Sequence, residues 1–146
     1  MIHYLYRIEN PNGETSPDSP VGMVSIPDES YAHRVPENAI KVTDKPMIDD
    51  KDGAYFEAWR IGDDGSISVD FEAAKTIRLE TLRKRRNGLF KGLDQQQFRA
   101  YCSKDEKLIG LIEEEKDRLR DCPERIDWDS CKTVKELNFI MPPELV

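Results

Sequence analysis

The sequence is poor in the residues from which active centres are usually built. Its 146 residues include three cysteines, Cys102, Cys122 and Cys131, and two histidines, His3 and His33. An odd number of widely spaced cysteines argues against a disulfide framework, so reduced thiols are expected. No C-x-x-C or H-x-x-x-H spacing is present, and a structural metal is not expected. There is no G-x-S-x-G, no glycine-rich phosphate loop and no H-E-x-x-H. A cysteine and a histidine could pair as nucleophile and base only if the fold happened to bring them together. The carboxylate clusters at Asp49–Asp50, Asp63–Asp64 and Glu113–Glu115 read as acidic loops or a solvated helix face, because hydrolytic acid pairs need burial to separate their pKa values. The expectation is a protein that is not an enzyme and uses no cofactor.

Long apolar runs are also missing. None approaches the ~20 residues that span a bilayer. The opening "MIHYLYRIENPNG" has neither a basic n-region nor an apolar h-region. A soluble protein that stays where it is made, without membrane contact, is expected. Hydrophobic residues make up 38% and charged residues 35%. That is lean, but above the level of a disordered chain, and it suits one ordinary domain or two small ones. No internal repeat is present.

What is there divides into two halves. Residues 1–69 hold 6 Lys/Arg against 13 Asp/Glu, whereas residues 70–146 hold 16 of each, so the net charge of −7 sits in the first half. Six of the nine prolines precede residue 47, and none lies between Pro46 and Pro123. The first half reads as short strands: "IHYLYRIE" (2–9), then the turn "NPNG", then "VGMVSIP" (21–27) and "NAIKV" (38–42). "AYFEAWRI" (54–61) and "ISVD" (67–70) read as a hairpin around a glycine-containing loop. The second half reads as helix. Asp70 can cap its start, with Glu72 in the first turn where the helix dipole favours a negative charge. Leu79, Leu82, Leu89 and Leu93 fall along one face, interrupted in a heptad frame by Arg86 and Gln96. Gly88 and Gly92 each weaken the helix by ~1 kcal/mol relative to alanine, so a break there is open. Their G-x-x-x-G spacing marks close packing or a helix break outside a membrane. "SKDE" (103–106) reads as a capping box for a second helix to about Asp121, with Leu108, Leu111, Ile112 and Leu119 buried and Pro123 as its stop. "TVKE" (133–136) repeats the box before a short third helix. The fold class expected is α+β: a small N-terminal antiparallel β domain over 1–69, then a helical hairpin with a short third helix over 70–146.

Residues 75–91 hold seven basic residues and one acidic, Glu80. A hairpin turning near Cys102 and Ser103 sets Glu113–Glu115 level with residues 90–92, and Asp117 and Asp121 level with 84–88. The basic run then has its complement in the next helix, which favours a helical contact over a phosphate grip. The acidic first half would also repel phosphate, so nucleic acid is not an expected partner.

From about residue 54 onward the chain resembles a known family. The segment "YFEAWRI…GSISVDFEAAKTIRLETLRKRRNGLFKGLD", then "LRDCPERI" and "MPPEL", is similar to the C-terminal helical module of the tail fibre assembly proteins, or tail assembly chaperones, of tailed phages. The likeness covers roughly 90 residues and rests on helix caps and charge patterns. It implies a protein that binds a phage tail fibre in the host cytoplasm and helps it fold and trimerise, without enzyme activity or cofactor. Fibres are commonly trimers, so three copies of the chain on one fibre would suit their symmetry. Tyr55, Phe56 and Trp59 would meet the client, and Leu79, Leu82, Arg86, Leu89 and Leu93 would grip the fibre or join protomers. The same leucines would serve equally as packing within the hairpin, and the aromatics as the core of the β domain. Two alternatives stand beside the chaperone: a baseplate or fibre-attachment component retained in the virion, and a nucleic-acid-associated regulator using Arg83–Arg86.

Overall fold

The computed structural model describes residues 1–42, 50 and 53–146. A small N-terminal antiparallel sheet is followed by helices, an α+β arrangement. The chain forms two compact units: Met1–Ala74 with Thr133–Lys135, and Lys75–Lys132 with Glu136–Val146.

In the first unit β1 (Ile2–Arg7) pairs antiparallel with β2 (Val21–Ile26) along its whole length. On its other edge it pairs with β3 (Ile40–Val42) only from His3 to Leu5. The "NPNG" turn forms as read: the Asn10 side chain accepts from the amides of Asn12 and Glu14, and Gly13 takes a φ of +78°. Gly22 stands opposite Tyr6, and a Cβ there would come within 2.5 Å of the ring. The strand read over 54–61 is shorter than expected. Phe56–Ala58 is a 3-10 turn, and β4 (Trp59–Ile61) begins only after it. β4 then pairs with β5 (Ile67–Val69) around a five-residue loop, as read. Leu5, Val21, Trp59 and Ile61 form the core, with Ile40, Val42, Phe56, Ile67 and Val69 packed on it. The burial follows from strand alternation, which turns every second apolar side chain inward.

Helix α1 (Phe71–Ser103) starts where expected, with the Asp70 side chain accepting from the Ala73 amide at 3.2 Å. It runs unbroken through Gly88 and Gly92. A Cβ at either glycine would meet nothing within 4 Å, so they mark neither a break nor a close approach. The helix also takes in Cys102 and Ser103, where the turn was expected, which moves the cap. The Ser103 hydroxyl donates back to the carbonyls of Arg99 and Ala100, and Asp105 instead caps α2 (Glu106–Arg120), accepting from the Leu108 amide. The "SKDE" capping box therefore does not form.

The second unit's core gathers Leu82, Leu119, Cys122 and Leu145, with Phe90, Leu93, Ile126, Trp128 and Ile140 against it. On α2 the buried positions are Ile112, Lys116 and Leu119, whereas Leu108 and Leu111 are 39% and 54% exposed. Ala100 is the last buried residue of α1 and carries only a methyl group, so near the hairpin tip little side chain reaches across to cover Leu108. A short α3 (Val134–Phe139) follows, preceded by a contact from the Lys132 amide to Glu136. The prolines Pro142 and Pro143 then lead into a 3-10 turn that buries Leu145.

Candidate functional site

The aromatic trio is organised by a carboxylate. Asp50 is 2% exposed and its Oδ2 accepts from the Tyr55 amide and from Trp59 Nε1, each at 2.8 Å. The Asp49–Asp50 pair, read as an acidic loop, thus contains a buried structural acceptor, and Asp49 lies outside the described residues. Tyr55 and Trp59 are 2% and 4% exposed, so they belong to the interior of the first unit. Phe56 is half-buried and meets Trp59 with ring centroids 4.9 Å apart. Of the three, only Phe56 reaches the surface, because the indole N–H is held by Asp50 rather than by solvent or a partner.

The same unit carries an open groove of about 890 Å³. Its walls include Ile8, Glu9, Glu37, Asn38, Ile61 and Asp63. Arg7 forms its floor: Nε and Nη2 donate to the Ile61 carbonyl, and Nη2 also reaches Asp63 at 3.1 Å.

In the second unit the arginines of the basic run, Arg78, Arg83, Arg85 and Arg86, are engaged within the chain, but not with the partners expected of them. Arg86 donates to the carbonyls of Arg120 and Cys122 at 3.2 and 2.9 Å and to Glu124 at 3.1 Å. A guanidinium there caps the C-terminus of α2, where carbonyls lack helical partners and the dipole is negative. Arg83 bridges Glu80 and Glu124. Arg78 and Arg85 donate to the carbonyls of Ile140 and Leu145, holding the C-terminal segment against α1. Burial alone would raise the Glu124 carboxyl, but the Arg83 hydrogen bond and the charges of Arg86 and Arg83 hold it below its ordinary value.

The acids of α2 point elsewhere than expected. Glu115, Asp117 and Asp121 pair with Arg118, Arg120 and Arg125 one turn along. Glu113 meets Gln97, and Lys116 joins Gln97 and Asp94. These contacts put Glu113 level with Gln97 instead of residues 90–92, a register displaced because α1 is longer than read. Lys116, 9% exposed, occupies a seam position between Ile112 and Leu119, and its charge is tolerated because a carboxylate and an amide oxygen receive it.

The four leucines separate by environment. Leu82 is 1% exposed and Leu93 is packed on the same cluster, Leu79 is half-buried, and Leu89 is 37% exposed. Leu82 and Arg86 are therefore committed inside the unit. Residues not singled out in the sequence carry the exposed apolar surface: Phe98 is 69% and Tyr101 57% exposed near the end of α1, with Leu108 and Leu111 on α2. The signal was the i, i+3 spacing of two aromatics in an otherwise polar stretch, which the heptad frame passes over.

Among the described residues no group of three or more His, Cys, Asp or Glu is placed to hold a metal ion. Cys102 is exposed, and Cys122 and Cys131 are buried and unpaired. Burial, followed by the charges of Glu144 and Glu124, pushes the Cys122 thiol up. Among the described residues no helix is long and apolar enough to cross a membrane. No family model, curated protein or solved structure matches the chain.

Proposed function

We propose that this protein is a tail fibre assembly chaperone, which binds a phage fibre protein in the host cytoplasm and assists its folding and trimerisation. The observation that carries the reading is the helical hairpin. Around its tip Phe98, Tyr101 and Leu111 expose more than half of their surface, an arrangement suited to holding apolar segments of another polypeptide. The resemblance of the segment from residue 54 to the helical module of such proteins supports the same reading. Self-association as a trimer on the fibre fits the symmetry of such a client.

Co-expression with a trimeric phage tail fibre protein, followed by size-exclusion chromatography with light scattering, tests it. A stable complex, with the fibre insoluble when expressed alone, is the expected result and reports the stoichiometry. Separate elution of this protein and a fibre that is already a soluble trimer would overturn it.

A further inference from the structure

The groove of the first unit lies along an incompletely paired strand edge. Along β1 the backbone groups alternate in direction. The Ile8 amide donates to the Pro20 carbonyl on the β2 side, so Arg7 turns its amide and carbonyl to the β3 side. On that side β3 has ended. Its register stops at Leu5 opposite Ile40. Asn38, which would stand opposite Arg7, has a φ of +65°, and the Ala39 amide donates to Pro36, so the chain turns away from the strand. Among the described residues the Arg7 backbone has no strand partner on this edge, and the edge faces the groove.

The groove's charge selects what could fill that edge. Among the described residues Glu9, Glu37 and Asp63 line it with one cation, Arg7, whose guanidinium is already taken by the Ile61 carbonyl and Asp63. Glu9 and Glu37 are exposed carboxylates of the lining. Ile8, 44% exposed, adds an apolar group to the same lining.

We propose that this groove binds a short extended segment of a partner polypeptide carrying lysine or arginine, which adds to β1 as a strand beside Arg7. The main-chain groups of Arg7 supply the pairing, and Glu9 and Glu37 receive basic side chains on alternate positions. An unpaired strand edge is a ready template for such addition. The inference rests on the polypeptide-binding reading above only in taking the occupant to be a peptide, and it does not require that peptide to come from a fibre.

The test uses the full chain and a fluorescein-labelled eight-residue peptide alternating lysine and valine, with its glutamate–valine counterpart. Anisotropy should show saturable binding with a Kd on the order of 100 μM, from the one residue pair that Arg7 can add together with the charge contacts. Binding of the acidic peptide should be weaker by at least about tenfold. N-methylation at the central peptide residues should abolish binding, and the Arg7 amide resonance should shift on titration. The doubly substituted Glu9→Lys, Glu37→Lys protein, altered only at exposed positions, should lose about tenfold in affinity. Equal binding of both peptides, unchanged binding by the double variant, or no saturation to about 1 mM would overturn the proposal. Peptide binding at Arg7 by a chain that forms no fibre complex would overturn the chaperone reading and leave the groove standing. A fibre complex undiminished in the double variant, with no peptide binding, would overturn the groove alone.

Discussion

The two units bury charge in opposite ways. In the first, the buried ion is a carboxylate: Asp50 accepts from neutral donors on Tyr55 and Trp59, and one side chain organises a whole turn. In the second, the part-buried ions are cations. Lys116 and Arg86 donate hydrogen bonds to several acceptors, and Arg86 shares Glu124 with Arg83. A single buried acceptor concentrates its contribution in one residue, whereas a shared network spreads it. The first unit should therefore be fragile at one polar position and the second tolerant at each of several. Hydrophobic burial supports both.

The largest effects should come from the two cores. Leu5→Ala and Leu82→Ala each remove a fully buried side chain and should cost about 2–5 kcal/mol. Urea unfolding followed by Trp59 emission, in a Trp128→Phe background, reports the first unit, and ellipticity at 222 nm reports chiefly the helices. Each substitution should move its own signal most; identical shifts of both signals would show that the comparison between units has no energetic meaning. Next comes Asp50→Ala, which removes the shared acceptor of the Tyr55 amide and the Trp59 indole and should cost about 1–3 kcal/mol. A red shift of Trp59 emission should accompany it, and an unchanged midpoint would remove Asp50 from its organising role.

A smaller effect has the opposite sign. Gly88→Ala and Gly92→Ala add methyl groups into open space within a continuous helix, so each should stabilise the helical unit by about 1 kcal/mol. Destabilisation would mean that these positions are covered by something else. The smallest effect concerns Glu124. Its carboxyl is depressed below an ordinary value of 4.5, so its stabilisation is present above that pH and is lost as pH falls through the folded value. Its side chain is 42% exposed, which limits the loss to under about 1 kcal/mol. Glu124→Gln should flatten the acid limb of the helical unit's urea midpoint below about pH 4.5. An unaltered limb would assign acid sensitivity to other carboxylates.

Local chemistry was readable where one segment carried its own determinants. "NPNG" supplied an asparagine acceptor and a glycine able to take positive φ, and Asp70 stood one residue before the first helical position, Phe71. The β-branched and aromatic content of 2–7 and 21–26, flanking the "NPNG" turn, specified paired strands. The misreadings share a cause. The shift of the α2 cap from Ser103 to Asp105 depended on how far α1 continued, which packing decided rather than the "SKDE" pattern. Once that end moved, the register of the hairpin moved with it, and the charge pairs were re-dealt.

The sequence by itself determined the order of strands and helices and the division of charge between the halves, because each depends on residues within a few positions of one another. Only the tertiary structure decided which charged groups are buried, what the arginines of the basic run bind, and where, among the described residues, β1 is left without a partner. Those outcomes hang on groups far apart in the chain, such as Arg85 with the Leu145 carbonyl and Arg7 with Ile61, whose meeting no local pattern encodes.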